Sequence, residues 1–230
     1  MNPLQRFAQA SNRYLPDPVR LLFIAEAPPD IRVHRFFYFT GLTKGDTLFL
    51  EMMKVLYPAE VGFARERFQP DFSVQQVRHN KENLLRRFQV DGYFLIDACN
   101  QPMPDGASTP GKMQQMKSAL PALQQRLKRL LSQPEVPIIL IGGVTYAICA
   151  TPLRHSGWNI VNQSMINHPA RGNQLLFREK LSATLQLESG SRKASPHRGD
   201  SPSKAAIIRR SWDTSEPIEA PAATNTSTTS

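Results

Sequence analysis

Arg20-Leu21-Leu22-Phe23-Ile24-Ala25-Glu26-Ala27-Pro28-Pro29-Asp30 reads as a strand that ends at a carboxylate and two prolines. Leu21 to Ile24 are uniformly apolar, as in a parallel strand buried on both faces, and Pro28-Pro29 stops the run. Open α/β sheets bind ligands beyond the carboxyl ends of their strands, so Glu26 is aimed at whatever this protein handles. Three further runs follow. Tyr93-Phe94-Leu95-Ile96 closes at Asp97, Ile138-Ile139-Leu140-Ile141 closes at Gly142-Gly143, and Trp158-Asn159-Ile160-Val161 leads to Asn167-His168-Pro169. Helical patterns lie between them at 46–57, 74–88, 112–131, 144–150 and 173–187, with Asp46 and Asn173 as N-cap residues. The alternation predicts an α/β fold, a three-layer sandwich around a central, mostly parallel four-stranded sheet. Polar groups from several strand ends would then converge on one pocket.

Composition divides the 230 residues in two. From Ser189 onward Ser, Thr, Pro, Ala and charged residues dominate, which predicts one α/β domain over 1–188 and a disordered tail over 189–230. A domain of that size buries about 70% of its unfolded surface, enough to be stable alone. Ile207-Ile208-Arg209-Arg210-Ser211-Trp212 is the tail's apolar stretch and a candidate for docking a protein partner. Cys99 and Cys149 sit in apolar surroundings and read as small buried side chains; two cysteines build neither a disulfide framework nor a four-cysteine metal site. His34, His79 and His155 have no Cys or His partners at ligand spacing, so no metal and no cofactor is expected. Nothing resembles a signal-peptide apolar region or the roughly 20 apolar residues of a membrane span, which predicts a soluble, cytoplasmic protein with no membrane partner.

The net charge is +9. Six of the 28 Lys/Arg and five of the 19 Asp/Glu fall at or beyond Glu188, so the positive excess belongs to residues 1–187. Basic groups cluster at Arg65-Glu66-Arg67, Arg78-His79-Asn80-Lys81, Arg86-Arg87 and Arg126-Leu127-Lys128-Arg129. Any one cluster reads as a solvated helix face, but their sum favours a polyanionic partner, with nucleic acid first.

Taken in order, Ala25-Glu26-Ala27-Pro28-Pro29, the aromatic run Phe36-Phe37-Tyr38-Phe39, the strand ending at Asp97, the Gly142-Gly143 strand and Asn167-His168-Pro169-Ala170 resemble the uracil-DNA glycosylase superfamily. The branch it is most similar to has a first motif Gly-Glu-Ala-Pro-Gly and a last motif His-Pro-Ser. The resemblance spans about residues 20 to 187. It implies a uracil-DNA glycosylase-like sheet, and a DNA repair activity that hydrolyses the N-glycosidic bond of a deaminated or damaged base flipped out of DNA. It also implies roles. Glu26 would position a water and stabilise the cationic sugar, and His168 would donate to the anion developing on the departing base. Phe39 would stack beneath the base, with Asp97 and Asn100 at its edge. Pro28 would hold the loop near the sugar, while Gly142, Gly143, Arg171 and Asn173 would meet the DNA backbone.

The departures matter as much. Ala25 and Pro29 replace the glycines that flank the family's first motif, and the branch's iron-sulfur cysteines are missing. Where many members read uracil with an Asn, this chain has Asp97, which when ionised only accepts hydrogen bonds. Uracil recognition then needs a protonated Asp97 or help from Asn100; otherwise the substrate differs or Asp97 is structural. Two functions follow: a DNA glycosylase, or a non-catalytic relative that binds nucleic acid or a nucleotide.

Overall fold

Along the chain the elements are α1 (Pro3–Asn12), β1 (Leu21–Ala25), α2 (Thr47–Leu56), β2 (Phe63–Ala64), β3 (Arg67–Phe68) and α3 (Val74–His79). There follow α4 (Lys81–Val90), β4 (Tyr93–Asp97), α5 (Thr109–Leu130), β5 (Ile138–Leu140), α6 (Gly143–His155) and α7 (Gln174–Ala194). The computed structural model describes residues 3–30, 35–104, 106–170 and 172–194. The chain divides into two units after Gly190, and the sheet lies in the first.

The architecture is α/β, a three-stranded parallel sheet of order β4-β1-β5 flanked by helices. β1 takes the centre because every one of its residues is apolar and buried, so it can be covered on both faces and paired on both edges. Leu22, Phe23, Ile24, Ile138, Ile139 and Leu140 are wholly removed from solvent, and the helices supply Phe49, Met52, Leu85, Phe88, Met116, Leu123, Leu127 and Leu153 to the same core. In register, Ala25 faces Asp97, and Ile24 faces both Ile96 and Leu140. The three carboxyl ends are therefore level, and Glu26, Asp97 and Gly142 leave the sheet at one rim. From β1 the chain passes to β4 on one side, then crosses to β5 on the other. The connections leaving β1 and β5 diverge, so the gap between their carboxyl ends is the topological switch point of the sheet.

The segment expected as a fourth strand makes only isolated parallel bridges to the β5 region, Ile138 with Ile160 and Ile141 with Ile166. A side chain interrupts the ladder: Asn162 Oδ1 accepts from the Leu140 N–H (3.0 Å) and its Nδ2 donates to the Leu140 carbonyl (3.3 Å). The opposite edge is closed in the same manner. The buried Tyr38 hydroxyl accepts from the Leu95 N–H (2.8 Å) and donates to the Leu95 carbonyl (3.0 Å). On each outer strand one residue, Leu140 or Leu95, thus has both backbone groups satisfied by a side chain where a further strand would otherwise pair.

Several boundaries differ from expectation for local reasons. The pattern at 74–88 is broken at Asn80, which ends α3 and begins α4. α5 starts earlier than 112, because Ser108 accepts from the Gly111 N–H (3.4 Å) and Pro110 falls in the first turn, where its missing N–H costs nothing. Likewise α6 runs through Pro152 to His155 instead of stopping at Ala150. Asp46 stands at the N-cap position but makes no capping bond; its buried carboxylate accepts from Arg78 Nε (2.9 Å) and lies 3.7 Å from Lys81 Nζ. α7 continues past Ser189 to Ala194, and it is tied to α2 by the Arg178–Glu51 ion pair. The remainder of the expected tail, with residues 207–212, lies outside the described residues.

Candidate functional site

Two groups of polar side chains meet at the carboxyl rim. The first gathers at the switch point. Glu26 follows directly on β1, and its Oε1 accepts from Lys112 Nζ at 3.0 Å, reaching across from the first turn of α5. Behind it, Gly142 caps α6 with φ +106°, a conformation that L side chains avoid. A Cβ there would lie 3.2 Å from Thr145 Oγ1 and 3.9 Å from Glu26 Oε2, so a glycine lets the α6 start approach the carboxylate. The Gly142 N–H donates to the Ile166 carbonyl (2.7 Å), which ties the loop carrying His168 to the same rim. Thr145 is fully buried, and its hydroxyl has no hydrogen-bond partner among the described residues.

His168 completes this group. Crowding by the protein holds its pKa below the ordinary histidine value; Glu26 acts to raise it, and Lys112 lowers it further. The residue is nonetheless exposed to solvent. At neutral pH the imidazole is uncharged and keeps one N–H to donate.

The second group surrounds a cavity of about 310 Å³ lined by Pro28, Phe36, Asp97, Cys99, Asn100, Arg126 and, from α1, Phe7, among others. No donor among the described residues reaches the Asp97 carboxyl. Burial raises its pKa to about 7, with the Arg126 charge opposing. Arg126 is turned inward, donating to the Asp97 carbonyl (2.8 Å) and the Ala98 carbonyl (2.6 Å), while its Nε is buried and unpartnered among the described residues. Cys99 lies between the two groups: its N–H donates to the Glu26 carbonyl (3.1 Å), and burial, then the Glu26 charge, pushes its thiol up to about 11. An unpaired, perturbed carboxyl facing an aromatic-walled cavity costs stability, which makes Asp97 a candidate functional residue.

The structure places Gly142 beside Glu26 and ties it, through the Ile166 carbonyl, to the loop that carries His168, and it places Pro28, Asp97 and Asn100 in the adjoining cavity. It does not bring Phe39 there. The aromatic run turns back on itself, with the Phe39 N–H donating to the Phe36 carbonyl (3.0 Å), and the ring of that run on the Asp97 cavity is Phe36. Phe39 instead lines a separate opening with Arg6, Gln9, Ala10 and Arg13, its ring centroid 5.7 Å from the Arg6 guanidinium. Gly143 is exposed at the first residue of α6. Asn173 turns its amide back onto the Ala170 carbonyl (3.1 Å), closing the loop before α7. Arg171 lies outside the described residues. Several basic groups expected on a solvated face are engaged: Arg78 and Lys81 with Asp46, Arg87 with Asp91.

Sequence reasoning missed Lys112 and Thr145 and read Arg126 only as one of a basic cluster. Lys112 was signalled by Ser108-Thr109-Pro110, a helix start that puts the lysine in the first turn, beside the rim. Nothing in the sequence sets Arg126 apart from Lys128 and Arg129 as the one that turns inward, and Thr145, after two glycines, carries no signal of its own.

Among the described residues no helix is long and apolar enough to cross a membrane, and no three His, Cys, Asp or Glu are grouped to hold a metal ion. In comparisons with known proteins, no family model and no curated protein matches the chain.

Proposed function

We propose that the protein is a uracil-DNA glycosylase-like hydrolase that cleaves the N-glycosidic bond of a deaminated or damaged base flipped out of DNA. In this reading the segment at 158–161 is the fourth strand of a glycosylase-like sheet, kept ragged by Asn162. One observation carries the proposal: Glu26, at the end of β1, and the loop of His168, distant in sequence, meet at Gly142, whose N–H holds the Ile166 carbonyl at 2.7 Å and whose Cβ position lies 3.9 Å from Glu26 Oε2. The base enters the Asp97 cavity against Phe36, leaving its sugar at the switch point. Charge then separates along the breaking bond. Neutral His168 donates its N–H to the departing base, and the Glu26 carboxylate steadies the cationic sugar and orients a water for attack. With a pKa of about 7, Asp97 is partly protonated at neutral pH; in that form it donates to a base carbonyl and accepts from the neighbouring ring N–H.

The test is base release from oligonucleotides carrying uracil, hypoxanthine or xanthine, read as alkali-labile abasic sites. Wild-type protein should release one or more of these bases, and His168→Ala should slow release by roughly 10²- to 10³-fold, the usual effect of losing one such donor. A second reading has its own support. The Glu26–Lys112 ion pair neutralises the carboxylate that catalysis needs, which suits a non-catalytic member of the same fold that binds nucleic acid or a nucleotide. Oligonucleotide binding without release of any base would decide for it.

A further inference from the structure

Lys112 is poorly explained as a structural residue. It stands in the first turn of α5, where the positive end of the helix dipole gives a cation nothing. Its ion pair with Glu26 is open to water, the two side chains 36% and 25% exposed, and pairs of that kind contribute little to stability. What the position does offer is reach. Lys112 Nζ lies 3.0 Å from the carboxylate that, on the glycosylase reading, faces the anomeric carbon. His168 lies near enough to feel both charges and, being uncharged at neutral pH, can accept a proton.

We propose that Lys112 is a nucleophile that forms an imine with C1′ of an abasic deoxyribose, giving the protein a strand-cleaving lyase activity on abasic DNA. This rests on the glycosylase reading of the rim as the place of the sugar. Once the base has left, the sugar equilibrates between its ring form and an open-chain aldehyde. A proton passes from the Lys112 ammonium to Glu26 or His168, and the free amine attacks C1′ to form the C–N bond of a carbinolamine. The carbinolamine oxygen is protonated and departs as water, leaving the imine. The imine acidifies C2′; Glu26 or His168 removes one C2′ proton, the C2′–C3′ double bond forms, and the C3′–O bond breaks. The downstream strand leaves with a 5′-phosphate, the upstream strand keeps an unsaturated aldehyde, and water hydrolyses the imine to free Lys112. No electrons are gained or lost, and no metal or cofactor takes part.

The experiment uses the full chain and an oligonucleotide with a preformed abasic site, so that base release is not required. Sodium cyanoborohydride, added with the protein, reduces any imine to a stable amine. The expected result is a covalent protein–DNA adduct whose linkage maps by mass spectrometry to Lys112. In Lys112→Arg, which keeps the charge but forms no such imine, adduct and strand cleavage should fall by at least about tenfold. Lys117→Arg, an exposed neighbour on the same helix, should leave both unchanged. Absence of adduct, or an adduct that maps elsewhere in the wild type, overturns the proposal whether or not the arginine variant folds. The base-release assay on modified-base oligonucleotides judges the glycosylase reading separately: release without adduct sinks Lys112 alone, and adduct without release retires the glycosylase step while keeping the lyase.

Discussion

Replacing Asp97 with Asn should make the protein more stable, and more so as the pH rises. The wild-type carboxyl is held at about 7 in the folded state against a reference of 3.8, because burial penalises its charged form and only Arg126 opposes. A folded-state pKa above the unfolded one means that the folded protein binds the proton more tightly. Stability is then complete below about pH 4, falls as the pH climbs toward 7, and stays reduced above it. About three units at about 1.4 kcal/mol each give roughly 4 kcal/mol as the full loss, and solvent reaching the carboxyl through the cavity trims this to about 2–4 kcal/mol. Asn has nearly the same shape and does not titrate. Urea unfolding of both proteins at pH 5, 6, 7 and 8 measures the difference directly. The Asn variant should gain on the wild type at each step from pH 5 to 7, and the gap should then level off. Parallel pH curves, or an Asn variant that is less stable at pH 8, would refute the assignment of Asp97 as an unpaired carboxyl facing the cavity.

Other perturbations test the sheet and the site. Tyr38→Phe strips two hydrogen bonds from Leu95 where both residues are buried, and should cost about 2–4 kcal/mol, lowering the melting temperature by roughly 5–15 °C. Asn162→Ala should cost a similar amount through Leu140, read by the same denaturation. Because His168 is held below the ordinary histidine value, base release should stay level as the pH falls to about 6.5 and decline only below it, where the imidazole becomes charged. Log affinity for duplex DNA should fall against log salt by about 0.9 per phosphate neutralised, and a slope of zero would argue against a nucleic-acid partner.

The parallel sheet was legible because its strands are unbroken apolar runs, and a run such as Leu21 to Ile24 has no stable place except at the centre. Glu26 and Asp97 were legible for the same reason, each being the first polar residue after such a run. What escaped depended on side chains acting at a distance from their own segment. Asn162 and Tyr38 look unremarkable in sequence, yet each stands in for a strand's backbone. Asp46 carries the pattern of an N-cap, but the nearby cations Arg78 and Lys81 claim its carboxylate. Counting residues from Glu26 pointed to Phe39, whereas the tight turn at 36–39 gives the cavity wall to Phe36. α1 escaped although its sequence is amphipathic; its buried Phe7 has its ring 4.7 Å from that of Phe36.

The pKa of His168, followed by NMR through its imidazole carbons in the wild type, Glu26→Gln and Lys112→Met, tests most directly whether the rim groups share one site. Removing the carboxylate should lower that pKa further, and removing the ammonium should raise it, since Glu26 pulls it up and Lys112 pushes it down. A value unmoved by both substitutions would place the imidazole out of reach of the carboxylate and contradict a common site.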